Sequence, residues 1–106
     1  MRRVNVLENG TPAGYLDELE QGRAYIFSYL PDYQGSPVSL TMPVNKTIYR
    51  YDRFPPFFEG LLPEGLQLEA LLRSQKIDAD NYFSQLIAVG GDLIGSITVT
   101  LGESDE

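Results

Sequence analysis

Three carboxylates crowd the stretch Leu16-Asp17-Glu18-Leu19-Glu20-Gln21. Oxygen-rich clusters of this kind can hold a hard divalent cation. A solvated turn explains the same cluster more simply, because Gly22 follows at once, and that is the expectation here. A second candidate is Gly90-Gly91-Asp92 with Gly95. Glycine-rich phosphate cradles sit between a strand and the helix that follows, so that backbone amides and the helix dipole face the anion. Here the order is helix then strand, which points to a helix stop and a tight turn. The third is the aromatic run Tyr25, Phe27, Tyr29, Tyr49 and Tyr51. Bases stack on such platforms only where cations hold the backbone. Only Arg50, between Tyr49 and Tyr51, is interleaved with these five, so a strand face packed on helices is expected. The serines have no histidine to activate them. The absence of His and Cys removes the commonest general base, the thiol nucleophiles and the usual zinc ligands. Carboxylate-only chemistry stays open, but no two carboxylates are paired in a recognisable way. A non-enzymatic role with no cofactor and no metal is expected.

The bulk numbers narrow the classes further. With 106 residues, 42% hydrophobic and 22% charged, the chain is expected to form one domain over residues 1–106. Fifteen acidic residues outweigh eight basic ones for a net charge of −7, which argues against direct nucleic-acid binding. A basic protein surface is compatible with this charge. The apolar runs fall short of the roughly 18 to 20 residues that span a bilayer. Arg2 and Arg3 precede no apolar secretory segment, and with no cysteine the expected location is the cytoplasm.

The elements that would carry any site read as follows. Residues 2–7 alternate, with Arg2, Val4 and Val6 on one face and Arg3, Asn5 and Leu7 on the other. Asn9-Gly10 signals a hairpin with a return strand from about Pro12 to Leu16. A turn at Glu20-Gln21-Gly22 leads to a third strand, Arg23 to Leu30. Residues 31–37 read as a loop, with short extended pieces expected within Val38–Met42 and Asn45–Asp52. A first helix should follow Asp52 with Pro55 near its first position, placing Phe54, Phe57, Phe58 and Leu61 on one face. Pro63 closes it and can open a second, striped by Leu68, Leu71 and Leu72. A third should start near Asp78 and run to Val89 with Tyr82, Phe83, Leu86 and Val89 inward, stopped by Gly90-Gly91. Asp92 to Leu101 alternates as a last strand, and residues from about 102 to 106 form an acidic solvated tail. The fold class is α+β, a mostly antiparallel sheet of an N-terminal meander and a C-terminal strand packed with about three helices.

The stretch Phe54 to Leu72 holds three Phe and six Leu around a Pro-Glu-Gly. If its second helix starts at Pro63, Leu66 points about 190° away from the Leu68/Leu71/Leu72 stripe. Leu66 then either packs on Phe57 or Tyr82 through an irregular first turn, or stands out as an apolar knob. In the second case Pro63-Glu64-Gly65-Leu66 forms a corner for a partner, with Phe57, Phe58 and Leu62 around it.

Several motifs in order carry a resemblance. The Asn-Gly hairpin with Gly14-Tyr15-Leu16, then Ser39-Leu40-Thr41-Met42-Pro43-Val44, then PFFEGLLPEG (residues 56–65), then IAVGGDLIGSITV (residues 87–99) resemble the N-terminal subdomain of the HipA family of serine/threonine kinase toxins. That family reads S-L-S-L-P, P-F-F-x-N-L-L-P-E-G and G-x-D-x-x-G-A-L at these places. The match runs from about Val4 to Thr100. Glu59-Gly60 departs from the residue-Asn pair, and Ser96-Ile97 from Ala-Leu. HipA-like kinases continue into a longer ATP-binding core, so the chain looks like the stand-alone HipS antitoxin of tripartite HipB–HipS–HipT systems. The resemblance implies a HipT-like serine/threonine kinase as partner, with a HipB-like helix-turn-helix protein supplying DNA binding in a larger complex. It implies that Phe57, Phe58, Leu62, Pro63, Glu64, Gly65 and Leu66 face the kinase, blocking or distorting its nucleotide or substrate site. The alternatives are an isolated N-terminal subdomain of a full-length HipA-like kinase and an unrelated small carboxylate enzyme or ligand-binding module.

Overall fold

The structure is a computed structural model describing residues 1–93 and 95–102. The expected acidic tail beyond Gly102, and Ile94 within the expected last strand, lie outside the described residues. Five strands form one antiparallel sheet in the order β4-β3-β2-β1-β5. They are β1 (Arg2–Glu8), β2 (Thr11–Glu20), β3 (Ala24–Tyr29), β4 (Ile48–Tyr51) and β5 (Ile97–Leu101). Between β4 and β5 come α1 (Pro56–Glu59), α2 (Gly65–Gln75), α3 (Tyr82–Val89) and a 3-10 turn, Gly90–Asp92. The fold is α+β, as the segregation of strands and helices predicts.

The first hairpin forms where the sequence places it. Asn9 (φ 50°) and Gly10 (φ 82°) both take the left-handed conformation that a two-residue hairpin turn requires. The alternation in β1 also holds, with Val4 and Val6 fully buried. Cross-strand register extends that face through Leu16 and Phe27 on one side and Val99 on the other. The aromatic run is this same face: Tyr25, Phe27 and Tyr29 are buried under the helices. Phe27 meets Phe58 of α1 at 5.9 Å between centroids. Tyr25 meets Phe54 edge-on at 5.4 Å and Phe83 of α3 at 6.3 Å. Burying a phenylalanine such as Phe58 contributes about 2 to 3 kcal/mol.

Several expectations are corrected. The return strand runs on to Glu20, so Leu16–Glu20 is strand rather than solvated turn, and the turn is confined to residues 21–23. Asp17 and Glu18 are both buried there, since each meets an arginine of β1 across the ladder. Successive residues point to opposite faces, so the two carboxylates diverge and cannot close on one ion. Residues 38–42 do not form a strand; Met42 N–H donates to Ser39 O at 3.0 Å and closes a turn. In α1, Pro55 is the cap and Pro56 the first residue, leaving Phe54 outside the helix though buried. Asn81, not Asp78, caps α3, accepting from Ser84 N–H at 3.2 Å. Gly90-Gly91 does not end in coil but tightens into the 3-10 turn, and β5 begins only at Ile97.

One polar cluster ties the sheet to α3. Arg2 Nε and Nη2 both donate to Glu18 Oε1, at 2.9 and 2.7 Å, and Tyr25 OH donates to Oε2 at 3.0 Å. Arg2 Nη1 reaches Ser84 Oγ at 2.9 Å, and its guanidinium lies over the Phe83 ring at 4.9 Å. On the opposite face Arg3 Nε donates to Asp17 Oδ1 at 2.6 Å and the guanidinium stacks on Tyr15 at 4.3 Å. Buried carboxylates are tolerated because each is paired and hydrogen-bonded.

Candidate functional site

The segment from Phe57 to Leu66 is a sharp corner built by local rules. After α1 the backbone stays curled, with Leu61 N–H donating to Phe58 O and Leu62 N–H to Glu59 O, both at 3.1 Å. Pro63 has no N–H to continue. Glu64 is extended (φ −131°, ψ 165°) and caps α2. Gly65 then turns into the left-handed region at φ 63°, a conformation that costs any other L-residue except Asn or Asp. The second helix therefore opens at Gly65 and not at Pro63, which corrects the expected start.

Leu66 is 82% exposed. It does not pack on Phe57 or Tyr82 and stands out from the corner. The corner residues divide into support and display. Phe58 is fully buried and Leu62 only 9% exposed, so both belong to the core that holds the corner. Phe57 and Pro63 are half-buried, and Glu64, Gly65 and Leu66 are exposed. A ring of Phe57, Phe58 and Leu62 around Leu66 is thus not what forms; Phe58 and Leu62 lie beneath.

Helix α2 continues this exposure. It spans Gly65–Gln75 without one buried residue; Leu68, Leu71 and Leu72 are half-buried only. The shorter α3 buries Phe83, Gln85 and Leu86. Beside the corner lies an open groove of about 700 Å3, bounded by residues 60–67 on one side and by the end of α3 and its 3-10 turn on the other. Leu61, Leu62, Val89 and Leu93 give it apolar lining, and Glu64 and Asp92 add carboxylates.

Sequence reasoning missed two features. One is the α3 side of the groove, since nothing local ties Asp92 to Glu64. The other is Leu40, 94% exposed at the tip of the Ser39–Met42 turn. That turn is pinned from below: Tyr29 OH accepts from Val38 N–H at 2.9 Å and donates to Met42 O, and Met42 is buried. A leucine between two hydroxyl residues and ahead of Pro43 was the available signal. Desolvation raises the Tyr25, Tyr29 and Tyr51 hydroxyls above their ordinary pKa of 10.0. Among the described residues no group of carboxylates is arranged to hold a metal ion, and no helix is long and apolar enough to cross a membrane.

The profile of the HipA N-terminal domain matches residues 4–100. The chain belongs to that family. In solved structures, the N-terminal domain of HipA toxin superposes with a TM-score of 0.77 and 30% identity, covering 99% of this chain and 96% of that one. An uncharacterised protein of Haemophilus influenzae is 35% identical over 80 residues, 76% of each chain. Two proteins of Sinorhizobium fredii named as putative kinases are also similar. Y4dM is 31% identical over all of this chain and Y4mE 29% identical over 92% of it. This HipA N-terminal domain spans only 29% of the first and 24% of the second. The matched region is thus a minor part of those two proteins.

Proposed function

We propose that the chain is a non-enzymatic antitoxin that binds and neutralises a HipT-like serine/threonine kinase in the cytoplasm. The observation that carries this reading is Leu66, displayed at 82% exposure by a Pro-Glu-Gly corner whose underside is anchored in the core. An apolar side chain on a preorganised backbone binds without a large ordering cost. Pro63, Glu64, Gly65 and Leu66 form the contact, Phe57 extends it, and Phe58 and Leu62 hold it in shape. Docking there blocks or distorts the kinase's nucleotide or substrate site. The net charge of −7 weighs against direct DNA binding; in this reading a HipB-like helix-turn-helix protein in a larger complex supplies it. No cofactor is needed for such a role.

The test is kinase autophosphorylation with and without the purified chain. Wild-type protein should bind and suppress activity; Leu66→Asp should fold normally and lose most suppression. Equal suppression by a folded Leu66→Asp protein removes that residue from the mechanism. A second reading is favoured by the two kinase-named relatives, in which the matched region is joined to a longer chain. There the same corner would pack within one polypeptide. Reading the gene beyond the codon for Glu106 separates the two.

A further inference from the structure

The groove beside the corner has a composition that the antitoxin reading does not by itself require. Leu61, Leu62, Val89 and Leu93 line it with hydrocarbon, while Glu64 and Asp92 supply a carboxylate from either side. Neither carboxylate has a hydrogen bond or ion pair with any described residue, whereas Asp17, Glu18 and Glu20 are each matched to an arginine. No basic residue lines the groove. Every charged residue from Phe54 to Leu72 is acidic, namely Glu59, Glu64 and Glu69. Strand β2 pairs its three acids, but along this channel, as at exposed positions such as Asp32 and Asp80, the carboxylates stay open.

A long basic side chain matches such a channel. Lysine and arginine carry apolar stems that lie along hydrocarbon while the charged head stays at the polar edge. A cationic head group in the groove would meet the carboxylates of Glu64 and Asp92. We infer that this groove receives an arginine or lysine side chain of the partner kinase, next to an apolar residue that meets Leu66. The inference rests on the antitoxin reading and adds the chemistry of the occupant. Leu66 supplies apolar contact, and the groove supplies electrostatic register and a faster encounter. The partner is therefore basic and amphipathic where it meets this corner.

The experiment is titration of the purified HipT-like kinase with the full chain at several salt concentrations. Three proteins are compared: wild type, Glu64→Gln/Asp92→Asn, and Asp32→Asn/Asp80→Asn, which removes two exposed charges outside the groove. Neither Glu64 nor Asp92 makes a side-chain bond that holds the fold, and matching circular dichroism spectra and melting curves check this. The groove variant should bind about tenfold or more weakly at low salt and show a flatter salt dependence. The control should stay close to wild type. Glu64→Lys/Asp92→Lys should bind still more weakly than the neutral pair. A folded groove variant that keeps wild-type affinity and salt dependence overturns the inference and leaves the antitoxin reading standing. Equal weakening by the control overturns it too, since overall charge would then explain the loss. Failure of the wild-type protein to bind the kinase overturns the antitoxin reading, and this inference with it.

Discussion

The two longest helices treat the core in opposite ways. Helix α3 has eight residues and drives Phe83, Gln85 and Leu86 into the interior, with its N-terminus fixed by Asn81 and by the Arg2 cluster. Helix α2 has eleven residues and buries none. Helices draw most of their stability from packing an apolar face, so α2 is the one with unused capacity. The difference locates labour in the molecule: the sheet and α3 make the fold, and α2 with its corner makes a surface. Leu66 stands at the junction, one residue beyond the glycine that aims it.

Several measurements would break or sharpen that contrast. The largest effect should come from the core. Phe58→Ala removes a fully buried ring tilted against Phe27 and should cost about 3 to 5 kcal/mol in urea unfolding. A loss under about 1 kcal/mol would mean that α1 is not part of the structural half. Next, Glu18→Ala leaves Arg2 and the Tyr25 hydroxyl without their shared acceptor. About 2 kcal/mol is expected, moderated because Arg2 keeps access to water.

Gly65→Ala meets no steric obstacle, since an added Cβ has nothing within 4 Å. Its cost is backbone alone, about 1 to 2 kcal/mol at φ 63°. It should weaken kinase binding by more than that loss of stability explains, because it re-aims Leu66. A milder handle is alkali. Burial raises the Tyr25, Tyr29 and Tyr51 hydroxyls above 10.0. The folded protein holds these protons after the unfolded chain has begun to release them. Stability is therefore whole below about pH 10 and should fall as pH rises through the raised values. Urea midpoints from pH 8 to 11 would show it, and Tyr25→Phe should flatten the slope. The smallest stability change belongs to Leu66→Asp, within about 0.5 kcal/mol, although its effect on kinase neutralisation should be the largest of all. A Leu66→Asp protein that melts early would merge the two halves of the comparison.

What the sequence made legible followed period and punctuation. Strict alternation located β1 and its inward face, and Asn9-Gly10 located the hairpin, because both are read over adjacent residues. The fate of Asp17 and Glu18 was not legible. Their partners, Arg2 and Arg3, lie across a ladder whose register only the folded hairpin defines. Helix ends slipped for a similar reason. Asp78 and Asn81 are both good caps, and Arg2 reaching Asn81 Oδ1 at 3.4 Å favours the second. The end of α2 carries no glycine at all; Lys76 takes the left-handed position at φ 56°. Pro63-Glu64-Gly65 signalled the corner, yet only packing shows that Phe58 supports it and Leu66 is displayed. The α3 side of the groove is nonlocal and has no linear trace.

The pairing of β1 with β5, Val4 opposite Leu101, has a consequence for how the protein is made. Within this sheet the first strand to be made is completed by the last. At about 5 to 20 residues per second, the inner edge of β1 waits on the order of ten seconds for its partner. During that interval it presents unpaired amides and carbonyls to whatever strand is nearby. The vulnerable moment of this sheet is thus set by translation speed, and slowing synthesis between β1 and β5 would lengthen it.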